Sequence, residues 1–129
     1  MKILRMSIPF LVLSMFIFSS CETAGLGGEA TIVAFPKHHD KPIPNAIIYI
    51  KYDAKEFPGE DPGLYDDSEI AVAEPGEAPH AHFHDLKKGD YYLYGVGFDS
   101  SINLPVTGGT PVEIKDKSGE IDQDVPLTE

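Results

Sequence analysis

His80-Ala81-His82-Phe83-His84-Asp85-Leu86-Lys87-Lys88-Gly89-Asp90-Tyr91-Tyr92-Leu93-Tyr94-Gly95-Val96-Gly97-Phe98 decides how this chain folds. Two β-rich runs flank Lys87-Lys88-Gly89-Asp90, a polar stretch with a glycine, so the segment reads as strand, turn, strand. Successive side chains of a strand point to opposite faces. His80, His82 and His84 therefore share one face of the first run, and Ala81 and Phe83 share the other. The same alternation separates Tyr92 and Tyr94 from Tyr91 and Leu93 in the second run.

On both sides of this segment short β-rich runs alternate with breaks made of Pro, Gly, Asn and Asp. Glu29–Phe35 reads as a first strand and Ala46–Tyr52 as a second, with a turn between them that holds His38, His39 and Asp40. A long acidic loop runs from Asp53 to about Asp67 and contains Pro58-Gly59 and Asp61-Pro62-Gly63. A short strand is expected over Glu69–Ala73, followed by His80–His84 and Tyr91–Phe98. A loop with Pro105 and Gly108-Gly109 leads to Pro111–Lys115, and Glu120–Leu127 is the last strand. No stretch after residue 28 has the 3.6-residue apolar period of a helix. About seven strands, with turns roughly every dozen residues, predict an all-β protein: a single antiparallel seven-stranded β-sandwich over residues 29–129. Pro126 has no N–H to give a neighbour, so the last strand belongs at a sheet edge.

The run Lys41-Pro42-Ile43-Pro44-Asn45-Ala46-Ile47-Ile48-Tyr49-Ile50, preceded by Ile32-Val33-Ala34, resembles the opening of transthyretin-like, carboxypeptidase-regulatory-like domains, with their "pi-pGA-V" turn. Ala81-His82-Phe83-His84-Asp85-Leu86-Lys87-Lys88-Gly89-Asp90-Tyr91-Tyr92-Leu93 resembles their later signature, "G-x-F-x-F-x-x-L-x-x-G-x-Y-x-L". Residues 108–114 and 121–127 look like the closing strand pair. The resemblance implies a prealbumin-like, Ig-like sandwich with Phe83, Leu86, Tyr91 and Leu93 inward, so that the three histidines and Tyr92 and Tyr94 face outward. It implies no catalytic residues. Two features depart from the family: Asn45 stands where Gly is usual, and the acidic loop is longer. Tyr91 takes the corner position from which a sandwich tyrosine bonds back to the backbone.

Residues 1–20 have the form of an export signal: Lys2 and Arg5, then an almost unbroken apolar run from Ile8 to Phe18, too short for a membrane-spanning helix. Phe18-Ser19-Ser20-Cys21 resembles the lipobox of bacterial lipoproteins, in which the cysteine thiol receives a diacylglycerol. Cys21 is the expected lipidation site, 21–28 a Gly-rich flexible tether, and the bacterial cell envelope the expected location, with the membrane reached through the lipid. Each buried acyl CH₂ contributes about 0.8 kcal/mol, so two or more chains anchor firmly.

The chain has 129 residues with 10 basic and 21 acidic side chains, a net charge of −11. Residues 1–20 hold two of the bases and none of the acids, so the part from Cys21 onward carries −13. That balance argues against nucleic acid, which needs a basic surface. The single Cys rules out an intramolecular disulfide, a Cys-rich zinc site and an iron–sulfur cluster.

No nucleophile elbow, zinc-protease, phosphate-loop or dinucleotide motif is present, and a triad of Ser68, His84 and Asp85 can be assembled only on paper. The chain thus reads as a non-enzymatic binding or assembly module with an envelope protein partner. The alternative is a metal-binding lipoprotein. Alternate strand residues lie about 6.6 Å apart, within reach of one ion. The candidate ligands are His82 and His84, then His80, with His38 or His39 as a distant partner, for Zn²⁺ or Cu²⁺. The same histidines also fit a solvated edge strand. The acidic loop offers oxygen donors without calcium-loop spacing. Its Phe57, Leu64 and Tyr65 either pin the loop to the sandwich or form a binding surface with Tyr92 and Tyr94.

Overall fold

The β-rich runs form eight strands in the computed structural model, which describes residues 23–129. They are β1 (Leu26–His38), β2 (Lys41–Pro42), β3 (Ile47–Tyr52), β4 (Asp67–Ile70), β5 (Ala81–Leu86), β6 (Gly89–Asp99), β7 (Leu104–Ile114) and β8 (Ser118–Pro126). The only other regular element among the described residues is a 3₁₀ turn at Pro62–Leu64. The expected signal (1–20) and Cys21 lie outside the described residues.

Two four-stranded sheets make the protein all-β and sandwich-like. In the first, β1 is central: β8 runs along one edge, and β5 and then β2 occupy the other. The second has the order β4-β3-β6-β7. Alternation explains the core between them. Ala30, Ile32 and Ala34 of β1 and Phe83 of β5 point inward and meet Ile48 and Ile50 of β3 and Leu93 of β6. Phe83, Leu86, Tyr91 and Leu93 are all buried, as the resemblance implies.

Tyr91 joins the two sheets at one end of the sandwich. Its hydroxyl donates to the Lys87 carbonyl at 2.7 Å and accepts from the Gly25 amide at 2.9 Å. The Lys87 amide donates to the Gly25 carbonyl at 2.9 Å. One phenol thus ties the β5–β6 turn to the segment entering β1.

The observed fold differs from the expected one in four respects. First, the tether reading does not hold for its second half: β1 begins at Leu26, and Gly25 is buried and hydrogen-bonded. Second, the sheets are not wholly antiparallel, because β8 pairs with β1 in parallel from Glu29↔Ser118 to Lys37↔Pro126. Pro126 is accommodated because β8 is an edge strand. Third, there are eight strands rather than seven, since the His38–Lys41 hairpin adds β2. His39 and Asp40 both have positive φ (47° and 63°), as a two-residue hairpin of the I′ kind requires. Fourth, Pro105 and Gly108-Gly109 lie inside β7, not in a loop. A Cβ on Gly108 would collide with the Pro126 carbonyl, so the glycine permits the chain leaving β8 to cross β7 closely. Asn45, where the resembling family has Gly, takes a positive φ of 62° that asparagine tolerates.

Tyr91→Phe leaves the Gly25 N–H and Lys87 carbonyl without that partner. The expected cost is about 1–3 kcal/mol, measured as a lower urea midpoint with an unchanged m-value.

Candidate functional site

The alternation of β1 divides the five histidines between two places. Even-numbered residues of β1 from Ala30 to His38 are buried against the core. Thr31, Val33 and Phe35 face the other way, beneath β5's histidines and β8's acids. His38 therefore points inward at the end of the sandwich, whereas His80, His82 and His84 stand on the outer face of the first sheet.

That outer face is organised in rows across three strands. His82 pairs with Val33, and Val33 pairs with Asp122. Thr31 pairs with Glu120 and its hydroxyl lies 3.3 Å from His84 Nδ1; Phe35 pairs with Asp124 and its ring lies 5.6 Å from that of His80. A line of imidazoles on β5 thus faces a line of carboxylates on β8 across a floor of β1 side chains. The rings stack along β5, with centroids 4.8 Å apart for His80–His82 and 5.4 Å for His82–His84. Between the lines runs a groove of about 510 Å³, reached also by Glu74 and Glu77 from the loop before β5. His80 Nδ1 donates to the Ala78 carbonyl at 2.7 Å, which leaves Nε2 facing Glu77 at 3.7 Å. His82 Nδ1 is buried without a hydrogen-bond partner. Asp124 is paired with Lys37 at 3.0 Å. No lysine among the described residues pairs with Glu74, Glu77, Glu120 or Asp122.

At the sandwich end His38 is only 2% exposed, and its Nδ1 lies 2.7 Å from Asp99 Oδ2. Asp99 ends β6, and its other oxygen accepts from the Ser101 amide at 2.9 Å and the Ser101 hydroxyl at 2.6 Å. These bonds, the His38 bond first and those of Ser101 next, hold the Asp99 carboxyl down at about 2. A carboxylate only accepts, so His38 Nδ1 carries the proton. His38 Nε2 is buried and without a hydrogen-bond partner, 3.9 Å from Glu129 Oε1. His39 Nε2 lies 3.6 Å from the same oxygen. Backbone bonds bring Glu129 there: the Leu127 amide donates to the Lys37 carbonyl at 2.7 Å, and Thr128 pairs reciprocally with Thr107.

The structure therefore does not unite the five histidines. It groups His80 with Glu74 and Glu77, and His38 and His39 with Glu129. His82 and His84, the first candidates from spacing, lie in the imidazole row and join neither group. Asp99, Glu129 and the groove carboxylates escape the sequence reading. Glu120-x-Asp122-x-Asp124 does carry a legible signal: a period of two puts these acids on one face of a strand.

Phe98 at the far end of β6 is exposed on the outer face of the second sheet, but the Tyr92–Tyr94 region of that face is covered. The acidic loop folds back over it, and Tyr65 stacks on Tyr94 at 5.8 Å while Phe57 lies 5.1 Å from the same ring. Tyr92 and Tyr94 are outward yet buried, because the loop covers them. Burial first, then the neighbouring Tyr94 and Tyr92, pushes the Tyr65 hydroxyl up to about 12. The loop acids serve local structure: Asp61 caps the 3₁₀ turn and Asp66 accepts from the Tyr52 amide. Ser68 lies on β4 in the second sheet and His84 on β5 in the first.

No protein-family model, curated protein or solved structure matches this chain.

Asp99 titrates at about 2 in the folded chain against an ordinary 3.8, so unfolding takes up a proton between those values. Its stabilisation is complete above the ordinary value and is lost as pH falls toward 2. Urea midpoints from pH 6 down to pH 2 are expected to fall over the lower part of that range, and Asp99→Asn to flatten that part of the fall.

Proposed function

We propose that this chain is a lipid-anchored protein of the bacterial cell envelope, held by Cys21, whose prealbumin-like sandwich acts as a non-enzymatic binding module for a cationic, extended segment of an envelope partner. The lipobox-like Phe18–Cys21 run supports the anchor, and the strand–turn signatures support the transthyretin-like assignment. The observation that carries the binding reading is the contrast between the two outer faces. On one, the chain's own aromatic loop covers the outward tyrosines Tyr92 and Tyr94. The other lies open as a groove with Glu74, Glu77, Glu120 and Asp122 around it and, among the described residues, no lysine paired with them.

The ligand class follows from charge and spacing. Four carboxylates favour a cation. Glu120 and Asp122 are alternate residues of one strand, about 6.6 Å apart, which matches alternate side chains of an extended peptide. A basic segment lying along β1 would set its cations against β8 and its apolar faces against Val33 and Phe35. The histidine row bounds the other side. An anchor on Cys21 leaves the acidic domain free of anionic headgroups, with its charge directed at a protein ligand.

A second reading is a divalent metal in the same groove. A His80 ring nitrogen and carboxylate oxygens of Glu74 and Glu77 lie within 4.8 Å of one another, which favours it.

Titrating the full chain in detergent with an alternating Lys-Ala peptide is expected to give saturable binding, perturbing the His80 and His82 ring resonances and weakening with salt. The Glu120→Gln/Asp122→Asn double variant should lose roughly 2- to 30-fold in affinity, at about 0.2–1 kcal/mol for each exposed pair. Binding unchanged in that variant would reject the groove as the peptide site. Zn²⁺ binding abolished by Glu74→Gln/Glu77→Gln would favour the metal reading.

A further inference from the structure

We infer that the sandwich end holds a second, separate site: a Zn²⁺-class ion bound by His38 Nε2, His39 Nε2 and Glu129, with Asp99 orienting His38 from behind. This goes beyond the groove reading and shares no residue with it.

The starting point is an unpartnered nitrogen. His38 is 2% exposed, and its Nε2 has no hydrogen-bond partner. Leaving a buried polar atom without a partner is costly, so native structures rarely keep one without a reason. Asp99 holds a proton on Nδ1, so Nε2 is the ring atom left to meet a ligand. Nε2 lies 3.9 Å from a Glu129 carboxylate oxygen, and a metal ion between the two would ligate both.

The donor geometry suits such an ion. Metal–nitrogen and metal–oxygen bonds near 2.0–2.2 Å at a tetrahedral angle place two donor atoms about 3.4 Å apart. The observed separations from Glu129 Oε1 are 3.9 Å to His38 and 3.6 Å to His39. The two rings lie 4.1 Å apart at centroid. Small side-chain adjustments close the difference, because His39 and Glu129 are both exposed. Two imidazoles and a carboxylate form a borderline donor set that suits Zn²⁺ and Cu²⁺, and the fourth position stays open to solvent.

Asp99 supplies the support that metal-binding histidines usually have. A carboxylate bonded to the far nitrogen fixes tautomer and ring orientation and raises ligand basicity. Ser101 holds Asp99 in turn through two hydrogen bonds. Four parts of the chain converge here: the end of β1, the His39-Asp40 hairpin, the end of β6, and the segment after β8.

The test is calorimetric titration of the full chain in detergent with Zn²⁺, alongside the visible spectrum with Co²⁺. One equivalent of ion and a tetrahedral cobalt spectrum are expected. His39→Asn and Glu129→Gln alter exposed side chains, asparagine tolerating the positive φ of position 39, and each should weaken binding about tenfold or more. His80→Ala and Glu74→Gln/Glu77→Gln should leave this site unchanged.

Asp99→Asn tests the positioning role separately. Ser101's two donors keep the amide oxygen, so the NH₂ group turns to His38. The His38 proton then moves to Nε2, which ¹⁵N–¹H spectra read directly, and affinity falls about 10- to 100-fold. Absence of stoichiometric binding, binding indifferent to His39→Asn and Glu129→Gln, or binding lost only with the groove variants would overturn the site. An Asp99→Asn chain that keeps its proton on Nδ1 and its affinity would overturn the role of Asp99.

Discussion

β1 is paired along both edges, and its side chains alternate between the core and the outer face for most of its length. Every feature of chemical interest is placed by that alternation. The even residues Ala30, Ile32, Ala34 and His38 are committed to the interior, and Thr31, Val33 and Phe35 floor the groove. A shift of one residue in register would exchange the two sets, burying the groove floor and expelling the core. Parallel pairing with β8 on one side and antiparallel pairing with β5 on the other lock the register from both edges. Tyr91 anchors the start of β1, and the hairpin at His39-Asp40 ends it.

The two outer faces then follow different paths. The second sheet presents tyrosines, which the acidic loop covers with Phe57 and Tyr65, so its polar phenols become part of a secondary apolar layer. The first sheet presents imidazoles on one edge and carboxylates on the other, a combination that no segment among the described residues covers. The strong acidity of the chain is thus unevenly used. Asp61 and Asp66 satisfy backbone amides, Asp99 holds His38, and Glu120 and Asp122 remain in the groove without a lysine partner. Acidic residues of equal formal charge do structural work in one place and define a surface in another.

Much of the fold was legible from local pattern. Phe83, Leu86, Tyr91 and Leu93 are inward and Tyr91 makes its corner bonds, as the resembling strand–turn signature implies, and strand alternation then sets the faces of their neighbours. The edge position of β8 follows from Pro126 alone. Less was legible where a residue's state depends on a distant segment. Gly108-Gly109 reads as a loop signal, yet it lies in β7 because the chain after β8 crosses there. Gly25 to Gly28 reads as a tether, yet the Tyr91 hydroxyl holds its backbone. Tyr92 and Tyr94 point outward as expected and are buried nonetheless.

For the candidate sites the division is sharper. The sequence by itself determined that His80, His82 and His84 share a face, since a period of two needs no tertiary information. It also determined the acidic balance and the lone Cys21 in its lipobox-like setting. Only the tertiary structure decided that His38 faces inward while those three face out, that Asp99, sixty-one residues away, meets His38 Nδ1, and that the segment after β8 brings Glu129 beside His38 and His39. The physical reason is range. Backbone geometry sets where a side chain points within its own strand, whereas which donors meet depends on sheet pairing and chain crossing between segments far apart in sequence.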